Sequence, residues 1–178
     1  MRVPPAASAL LVLLCLGLAA PLGGCGFRPL MGDGARGEAV GQAGRVQIAL
    51  IEDRAGQMLR NELMQRINPR GTRVGAPWRL EVHLQDSGRD SGIQSNNTVT
   101  RKEVRLVATF VLVEVRTGRV LLTDTSRSNA AFNVSATEFG TVVSGRAAHD
   151  TAVTDVADDI QTRLALYFDR QARSPVTP

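Results

Sequence analysis

The sequence predicts an α+β fold in which two helices pack on one face of a four-stranded, largely antiparallel sheet, in the order β-α-β-β-β-α. Three observations predict this fold. Apolar and polar residues alternate in four separate segments, an apolar residue recurs every four positions between residues 55 and 67, and a capping signal at residues 135–138 precedes a second, longer apolar stripe. We therefore expect residues 45–172 to form a single α/β domain and residues 173–178 to form a disordered tail.

The N-terminal segment has the layout of an export signal. Arg2 is its one basic residue, and residues 6–20 are apolar or small and carry no charge. This run is too short to cross a bilayer, which needs about 20 residues, so it is typical of a signal peptide. The sequence LGGC at residues 22–25 resembles the end of a bacterial lipoprotein signal, in which the cysteine thiol is acylated and the preceding peptide is removed.

Residues 1–24 are therefore predicted to be a lipoprotein signal peptide, and Cys25 the lipidated residue, with acyl chains such as palmitate. A plain export signal followed by an accidental cysteine is the alternative. Residues 25–44 are predicted to be the lipidated N-terminus and a flexible tether, because they are rich in glycine and alanine and have no apolar period.

Regular structure is expected from Arg45 onwards. Val46, Ile48 and Leu50 alternate with polar or small residues, as in a half-buried strand. Asp53 is then placed to cap a helix that carries one apolar stripe. The stripe comprises Ala55, Leu59, Leu63 and Ile67, supported by Met58 and Met64, and the helix ends at Asn68 and Pro69.

Three strands are expected next. Leu80, Val82 and Leu84 alternate with polar residues, and the polar residues 86–100 then form either a long loop or the extended tip of a hairpin. The second strand covers residues 104–115. A tight turn leads to the third strand, whose register stays open because Asp124 falls among apolar positions, where a bulge is one explanation.

The last helix has the clearest start signal in the chain. Ser135 and Glu138 have the spacing of a capping box, with Ser135 as the N-cap residue. One apolar face is predicted to run along this helix. It comprises Phe139, Val142, Val143, Val153, Val156, Ala157, Ile160, Leu164, Tyr167 and Phe168.

The middle of the three strands is apolar on both faces. Its second apolar face comprises Val107, Val111, Val113 and Val115. With both helices expected on the other side, these valines have no cover within the chain, so we predict that they are buried against a partner. The alternative is that valine simply suits a strand and that this face is partly solvated.

Residues that could carry catalysis are scarce. The sequence has no nucleophile elbow, no glycine-rich phosphate loop and no metal-ligand spacing. Its two histidines, His83 and His149, are far apart, and Cys25 is the one cysteine left after signal removal, so neither a disulfide nor a His/Cys metal cluster is expected. We therefore expect a protein that is not an enzyme and needs no metal or cofactor.

Charge is distributed unevenly along the chain. Residues 70–127 contain ten basic and six acidic residues, whereas four basic and six acidic residues follow residue 134. Arg89, Arg101, Lys102 and Arg105 cluster around the expected hairpin tip. Arginine binds phosphate through paired hydrogen bonds, so the cluster is predicted to bind an anionic partner such as lipid phosphate or acidic protein loops.

The alternative for this cluster is a solvated sheet edge that prevents aggregation. A nucleic-acid partner is not expected, because the protein is predicted to be exported and has few aromatic residues for base stacking.

Three segments also carry a family resemblance. They are CGFRPL at residues 25–30, RSNAAFN at residues 127–133 and DDIQTRLALYF at residues 158–168. Together with the element order, they resemble the lipopolysaccharide-assembly lipoprotein LptE (RlpB) family across the mature chain. The sequence departs from the family at Met31, where an aromatic residue is common, and at residues 131–132, where a small residue followed by tyrosine is usual.

The resemblance implies a lipoprotein on the periplasmic side of the Gram-negative outer membrane. Such a protein plugs the LptD β-barrel, supports its assembly and assists lipopolysaccharide transport to the outer leaflet. The four valines would then face the barrel, and the basic cluster would contact lipopolysaccharide or acidic lumen loops. An auxiliary lipoprotein of an ABC-type lipid-trafficking system is the alternative. A lipid-anchored periplasmic enzyme would need a pocket of converging polar groups that the sequence does not supply.

Overall fold

The computed structural model describes residues 45–72, 74–93 and 99–173, and their fold is the predicted one. The elements, in chain order, are β1 (Val46–Ile48), α1 (Asp53–Ile67), β2 (Trp78–Ile93), β3 (Val99–Glu114), β4 (Val120–Asn133) and α2 (Glu138–Arg173). The predicted signal peptide, Cys25 and the tether lie outside the described residues, as do residues 174–178.

The four strands form one mixed sheet in the order β1-β2-β3-β4. β1 pairs parallel with β2, and the other two pairs are antiparallel. The parallel pair follows from the connection, because α1 returns the chain to the end of the sheet at which β1 began. Asn68, the residue that follows α1, donates a hydrogen bond from its side chain to the backbone oxygen of Val46, with a length of 2.8 Å.

The core lies between the sheet and the two helices. In β2 and β3 the even-numbered side chains face the helices, as the alternation predicted, and Leu80, Leu106 and Phe110 are fully buried. They pack with Leu59 and Leu63 of α1 and with a buried stripe of α2. In the described part of the chain, neither helix has an apolar stretch long enough to cross a bilayer.

The two helix starts differ from the predicted ones. Asp53 is the first residue of α1, with a φ of 64°, and the N-cap residue Glu52 makes no side-chain capping hydrogen bond. At α2 the cap is Thr137, whose hydroxyl accepts a hydrogen bond from the Gly140 N–H at 3.2 Å. Ser135 does not cap the helix, because it lies three residues before Glu138 and its hydroxyl accepts a hydrogen bond from the Thr137 N–H.

A bulge settles the register of β4. Leu112 pairs with Leu122 but Val113 pairs with Val120, so Leu121 is the extra residue. The bulge lies three residues before Asp124, whose side chain is therefore on the helix side of the sheet. There Arg163 of α2 donates a hydrogen bond of 2.5 Å to the Asp124 carboxylate, and this bond lowers the pKa of Asp124 below its ordinary value.

Candidate functional site

The polar segment after Leu84 continues the sheet and does not form a long loop. β2 extends to Ile93 and β3 begins at Val99, so the predicted extended hairpin is present, with residues 94–98 outside the described part. The pairing remains regular up to Asp90 and Lys102 and shifts beyond them. The sheet therefore presents two distinct faces as far as its tip.

The hairpin places the four predicted cations on two faces. Arg89, Arg101 and Arg105 lie on the face opposite the helices, here called the open face, where Arg89 is paired with Glu103. Lys102 points to the helix side, because successive side chains of a strand alternate between faces. All four cations lie at the hairpin, as predicted, but they are divided between its two faces. Three arginines share the open face, and Lys102 lies behind them.

Two further cations lie near this tip and were not predicted. Arg127 of β4 is paired with Val107 on the open face, and one row further out Asn129 is paired with Arg105. Arg146 is exposed on α2, next to Gly145, which approaches the Phe132 ring of β4. The period of two would place Arg127 on the face of Arg105, but only once the bulge at Leu121 fixes the register.

The cations at the tip form no ion pairs with the described residues, although Glu103 lies across the sheet from Arg89 and Asp90 lies across from Lys102. No ion pair within 4 Å joins Arg89, Arg101, Lys102, Arg105, Arg127 or Arg146 to a carboxylate of the described chain. Elsewhere in the molecule, Arg66, Arg79, Arg119, Arg163 and Arg173 all contact carboxylates. Exposed cations without a partner produce a positive local potential that attracts anionic ligands.

The tip lies far from the point where the chain enters the sheet. β1 begins at Val46, which pairs with Trp78, and the guanidinium of Arg45 lies 5.4 Å from the centre of the Trp78 ring. At about 3.3 Å per residue along β2, Arg89 is roughly 35 Å from Trp78. Arg45 and the basic tip therefore lie at opposite ends of the sheet.

Val107, Val111 and Val113 of β3 lie on the open face, as predicted, but they are largely covered, whereas Val115 lines a cavity with Arg60 and Met64 of α1. Val113 is only 9% exposed, Val107 and Val111 are half-buried, and Val115, just after the strand, is 48% exposed. Long side chains on the neighbouring strands flank them, such as Arg79 beside Val113. The expectation that this face has no cover within the chain is wrong for Val113, and the barrel-facing role of the four valines stays a prediction.

The first turns of α2 carry the apolar residues that are most exposed near the tip. Phe139 is 80% exposed, Val142 45% and Val143 48%, although a continuous core-facing stripe was predicted. The buried residues of α2 begin only at Ala148. Small residues take the positions nearest the sheet, since Gly145 contacts the Phe132 ring, so the larger apolar side chains point away from it.

A cavity lies between the start of α2 and the hairpin. Its volume is about 280 Å³, and its lining includes Asp90, Lys102, Val104, Phe132, Gly145 and His149. Apolar side chains form part of this lining, and His149 places its Nε2 atom 3.7 Å from the Asp86 carboxylate. Within the described ranges, no three His, Cys, Asp or Glu side chains converge in a way that could hold a metal ion.

A mixed four-stranded sheet with two helices on one face and unpaired cations at its hairpin tip defines a class of small α+β domain. Within that class, a family model described as "LptE: Lipopolysaccharide-assembly" matches residues 43–164. The chain belongs to this family, and the resemblance seen in the sequence is confirmed.

Solved structures share the fold at low sequence identity. A candidate lipoprotein from Caulobacter crescentus superposes with a TM-score of 0.61 at 15% identity, covering 75% of this chain and 98% of that one. The rare lipoprotein B from Shewanella oneidensis gives a TM-score of 0.55 at 10% identity, covering 72% and 98%. At these identities the likeness supports the fold alone.

A curated relative is the uncharacterized protein RP188 of Rickettsia prowazekii. It is 23% identical over 96 residues, which cover 54% of this chain and 61% of the relative. The matched region therefore spans about three fifths of that protein's length.

Proposed function

We propose that this protein is an outer-membrane lipoprotein that is anchored through acylated Cys25 and plugs an LptD-like β-barrel from the periplasmic side. It supports assembly of the barrel and assists lipopolysaccharide transport to the outer leaflet. In this role the protein binds and scaffolds and performs no covalent chemistry. Membership of the lipopolysaccharide-assembly family supports the proposal.

The observation that carries the proposal is the set of unpaired arginines at the end of the sheet remote from residue 45. Arg89, Arg101 and Arg105 are exposed on one face and have no acidic partner among the described side chains. Guanidinium groups bind phosphate with two parallel hydrogen bonds, which suits the phosphates of lipid A. An anchor at one end of the sheet would leave this tip free to reach into a barrel.

The partner is tested by purification. The full chain, expressed with its signal in a Gram-negative host, is tagged at the C-terminus and purified from detergent-solubilised outer membranes, and its partners are identified by mass spectrometry. We expect a large β-barrel protein in a one-to-one ratio. Recovery of a transport ATPase or a periplasmic lipid carrier in its place would contradict the plug and favour the auxiliary-lipoprotein alternative.

The ligand is tested by removing charge at the tip. The triple variant Arg89→Ser, Arg101→Ser and Arg105→Ser is expected to bind lipopolysaccharide at least about tenfold more weakly, since charge-assisted hydrogen bonds to phosphate are lost. Working at physiological salt, where the Debye length is about 8 Å, limits the result to close contacts.

The matched control removes the same charge elsewhere. Arg54, Arg70 and Arg116 are exposed and lie outside the tip, and changing all three to serine is expected to leave binding unchanged. Equal losses in both triple variants would mean that net charge governs binding and that the tip is not the site.

A further inference from the structure

The start of α2 presents an apolar surface next to the basic tip. Phe139, Val142 and Val143 are spaced so that they share one helix face, and Arg146 continues the same face one turn later. We call Phe139, Val142 and Val143 the apolar stripe. Each of these side chains is at least 45% exposed, so the apolar stripe is not part of the core of the described chain.

Further along α2, the same face is buried. A regular spacing of four and three residues leads from Phe139 and Val143 to Val153, Ala157 and Ile160, all of which are fully buried or nearly so. The buried part lies where α1 packs, since Arg66 of α1 is paired with Asp158 there. At 1.5 Å per residue, α1 is about 22 Å long and α2 about 54 Å. α1 is therefore too short to cover the whole of this face, and the apolar stripe at the start of α2 stays exposed.

Cations and a cavity border the apolar stripe. The Phe132 ring, which contacts Gly145, is paired across the sheet with Lys102, so the start of α2 extends beyond the row of Lys102 towards the hairpin tip. The cavity of about 280 Å³ beside Gly145 is lined by Val104, Phe132 and Lys102. The acidic residues Asp90 and Glu103 also belong to its lining. Exposed apolar side chains on the same side of the sheet as Lys102 and Arg146 match a ligand that has acyl chains joined to a phosphorylated headgroup.

We infer that the apolar stripe is a seat for the acyl chains of lipopolysaccharide while Lys102 and Arg146, the tip cations on the helix side of the sheet, hold its phosphates. The inference rests on the proposed function and adds a second contact to it. The charged contact alone would not distinguish an acylated lipid from any other phosphorylated molecule. With the stripe, the tip is selective for a lipid over the soluble sugar phosphates of its headgroup.

The test compares intact lipopolysaccharide with the same molecule after complete removal of its acyl chains. The test variant replaces the three exposed side chains of the apolar stripe by glutamine: Phe139→Gln, Val142→Gln and Val143→Gln. Glutamine is tolerated well in a helix, so the variant is expected to fold, which circular dichroism checks. We expect binding of intact lipopolysaccharide to fall about tenfold, while binding of the deacylated form stays at the wild-type level.

The matched control changes exposed apolar residues far from the tip. Leu50, Val120 and Leu166 are 77%, 57% and 42% exposed, and their replacement by glutamine is expected to leave both binding constants unchanged. A fall in this variant equal to that of the stripe variant would overturn the seat, because general surface hydrophobicity would then explain the loss.

The other outcomes separate this inference from the proposed function. If the stripe variant binds both forms like the wild type, or binds both forms equally more weakly, the acyl seat is overturned. The role of the basic tip is then still judged by the separate arginine-to-serine variant. If the stripe variant keeps lipid binding but no longer copurifies with the barrel, the stripe contacts protein and the seat is again overturned. If the wild-type protein binds neither form, the proposed ligand fails, and the seat fails with it.

Discussion

The two ends of the sheet use the same kinds of side chain in opposite ways. At the end near Trp78, here called the packed end, arginines contact carboxylates and aromatic rings pack against each other, with the centres of the tilted Trp78 and Phe168 rings 4.9 Å apart. At the hairpin tip, the arginines have no acidic partner among the described residues, and Phe139 is exposed. The difference indicates that stability comes mainly from the packed end and that the tip is kept available for binding.

The largest expected effect compares one phenylalanine in the core with one at the tip. Phe110 of β3 is fully buried, so Phe110→Ala should lower the free energy of unfolding by about 3–5 kcal/mol through lost burial and a cavity. The identical change Phe139→Ala should alter it by less than about 0.5 kcal/mol. Both are measured by urea denaturation.

A loss of several kcal/mol in Phe139→Ala would contradict the comparison, because the start of α2 would then be part of the cooperative core. A small loss of stability in Phe110→Ala would also contradict the comparison, because the buried core would then contribute little to stability. The two outcomes are independent, since the residues lie in different elements and Phe139 is not in the buried cluster.

The fold could be predicted because its signals are local. Alternation in β2 and β3 correctly assigned Leu80, Leu106 and Phe110 to the helix side, and it also placed Val107 and Val111 on the other face. Such periodicity follows directly from the geometry of a strand, so it needs no knowledge of the partner element.

The tip could be predicted only in part, because its arrangement depends on contacts between distant elements. A helical period shows that Phe139 and Val153 share a face, but it does not show where α1 ends and leaves that face bare. In the same way, the position of Arg127 beside Val107 depends on the bulge at Leu121. The cation cluster was predicted by nearness in sequence, which ignores that Arg101 and Lys102 point to opposite faces.

The next effect compares two helical glycines. A Cβ atom on Gly56 of α1 would lie 2.7 Å from Ile51 Cγ2 and 3.1 Å from the Ile51 backbone carbon. Gly56→Ala should therefore destabilise the protein by up to about 2 kcal/mol, since overpacking costs about 1–3 kcal/mol and the gain in helix propensity offsets about 1 kcal/mol of it.

Gly145 of α2 is the matched position near the tip. A Cβ atom there would lie 3.3 Å from the edge of the Phe132 ring, a half-buried side chain that can move by a few tenths of an ångström. Gly145→Ala should therefore be neutral or stabilising by up to about 1 kcal/mol. If thermal denaturation shows that both variants lose stability equally, α2 is packed as tightly near the tip as α1 is near the packed end.

The smallest effect concerns two arginines that differ in their partners. Arg163 donates hydrogen bonds to Asp124 of β4 and to Asp159 of α2, and the bond to Asp124 lowers the pKa of that carboxyl group. A lowered folded-state pKa adds stability that is complete above the ordinary range of aspartate, near about pH 4, and that is lost as the pH falls through the folded pKa. Arg163→Gln should therefore cost no more than about 1 kcal/mol at pH 7, because the pair is partly exposed.

The pH dependence makes this small effect specific. The deficit of Arg163→Gln should shrink towards zero as the pH falls below about 4, because protonated Asp124 no longer benefits from the guanidinium in the wild-type protein either. Arg105→Gln removes an arginine without an acidic partner among the described residues, so it should leave the whole curve of unfolding free energy against pH unchanged. A deficit in Arg163→Gln that stays constant down to pH 2 would mean that Arg163 acts through packing and not through Asp124. A pH-dependent deficit in Arg105→Gln would mean that the tip arginines also support the fold, so that the two ends of the sheet would no longer divide stability from binding.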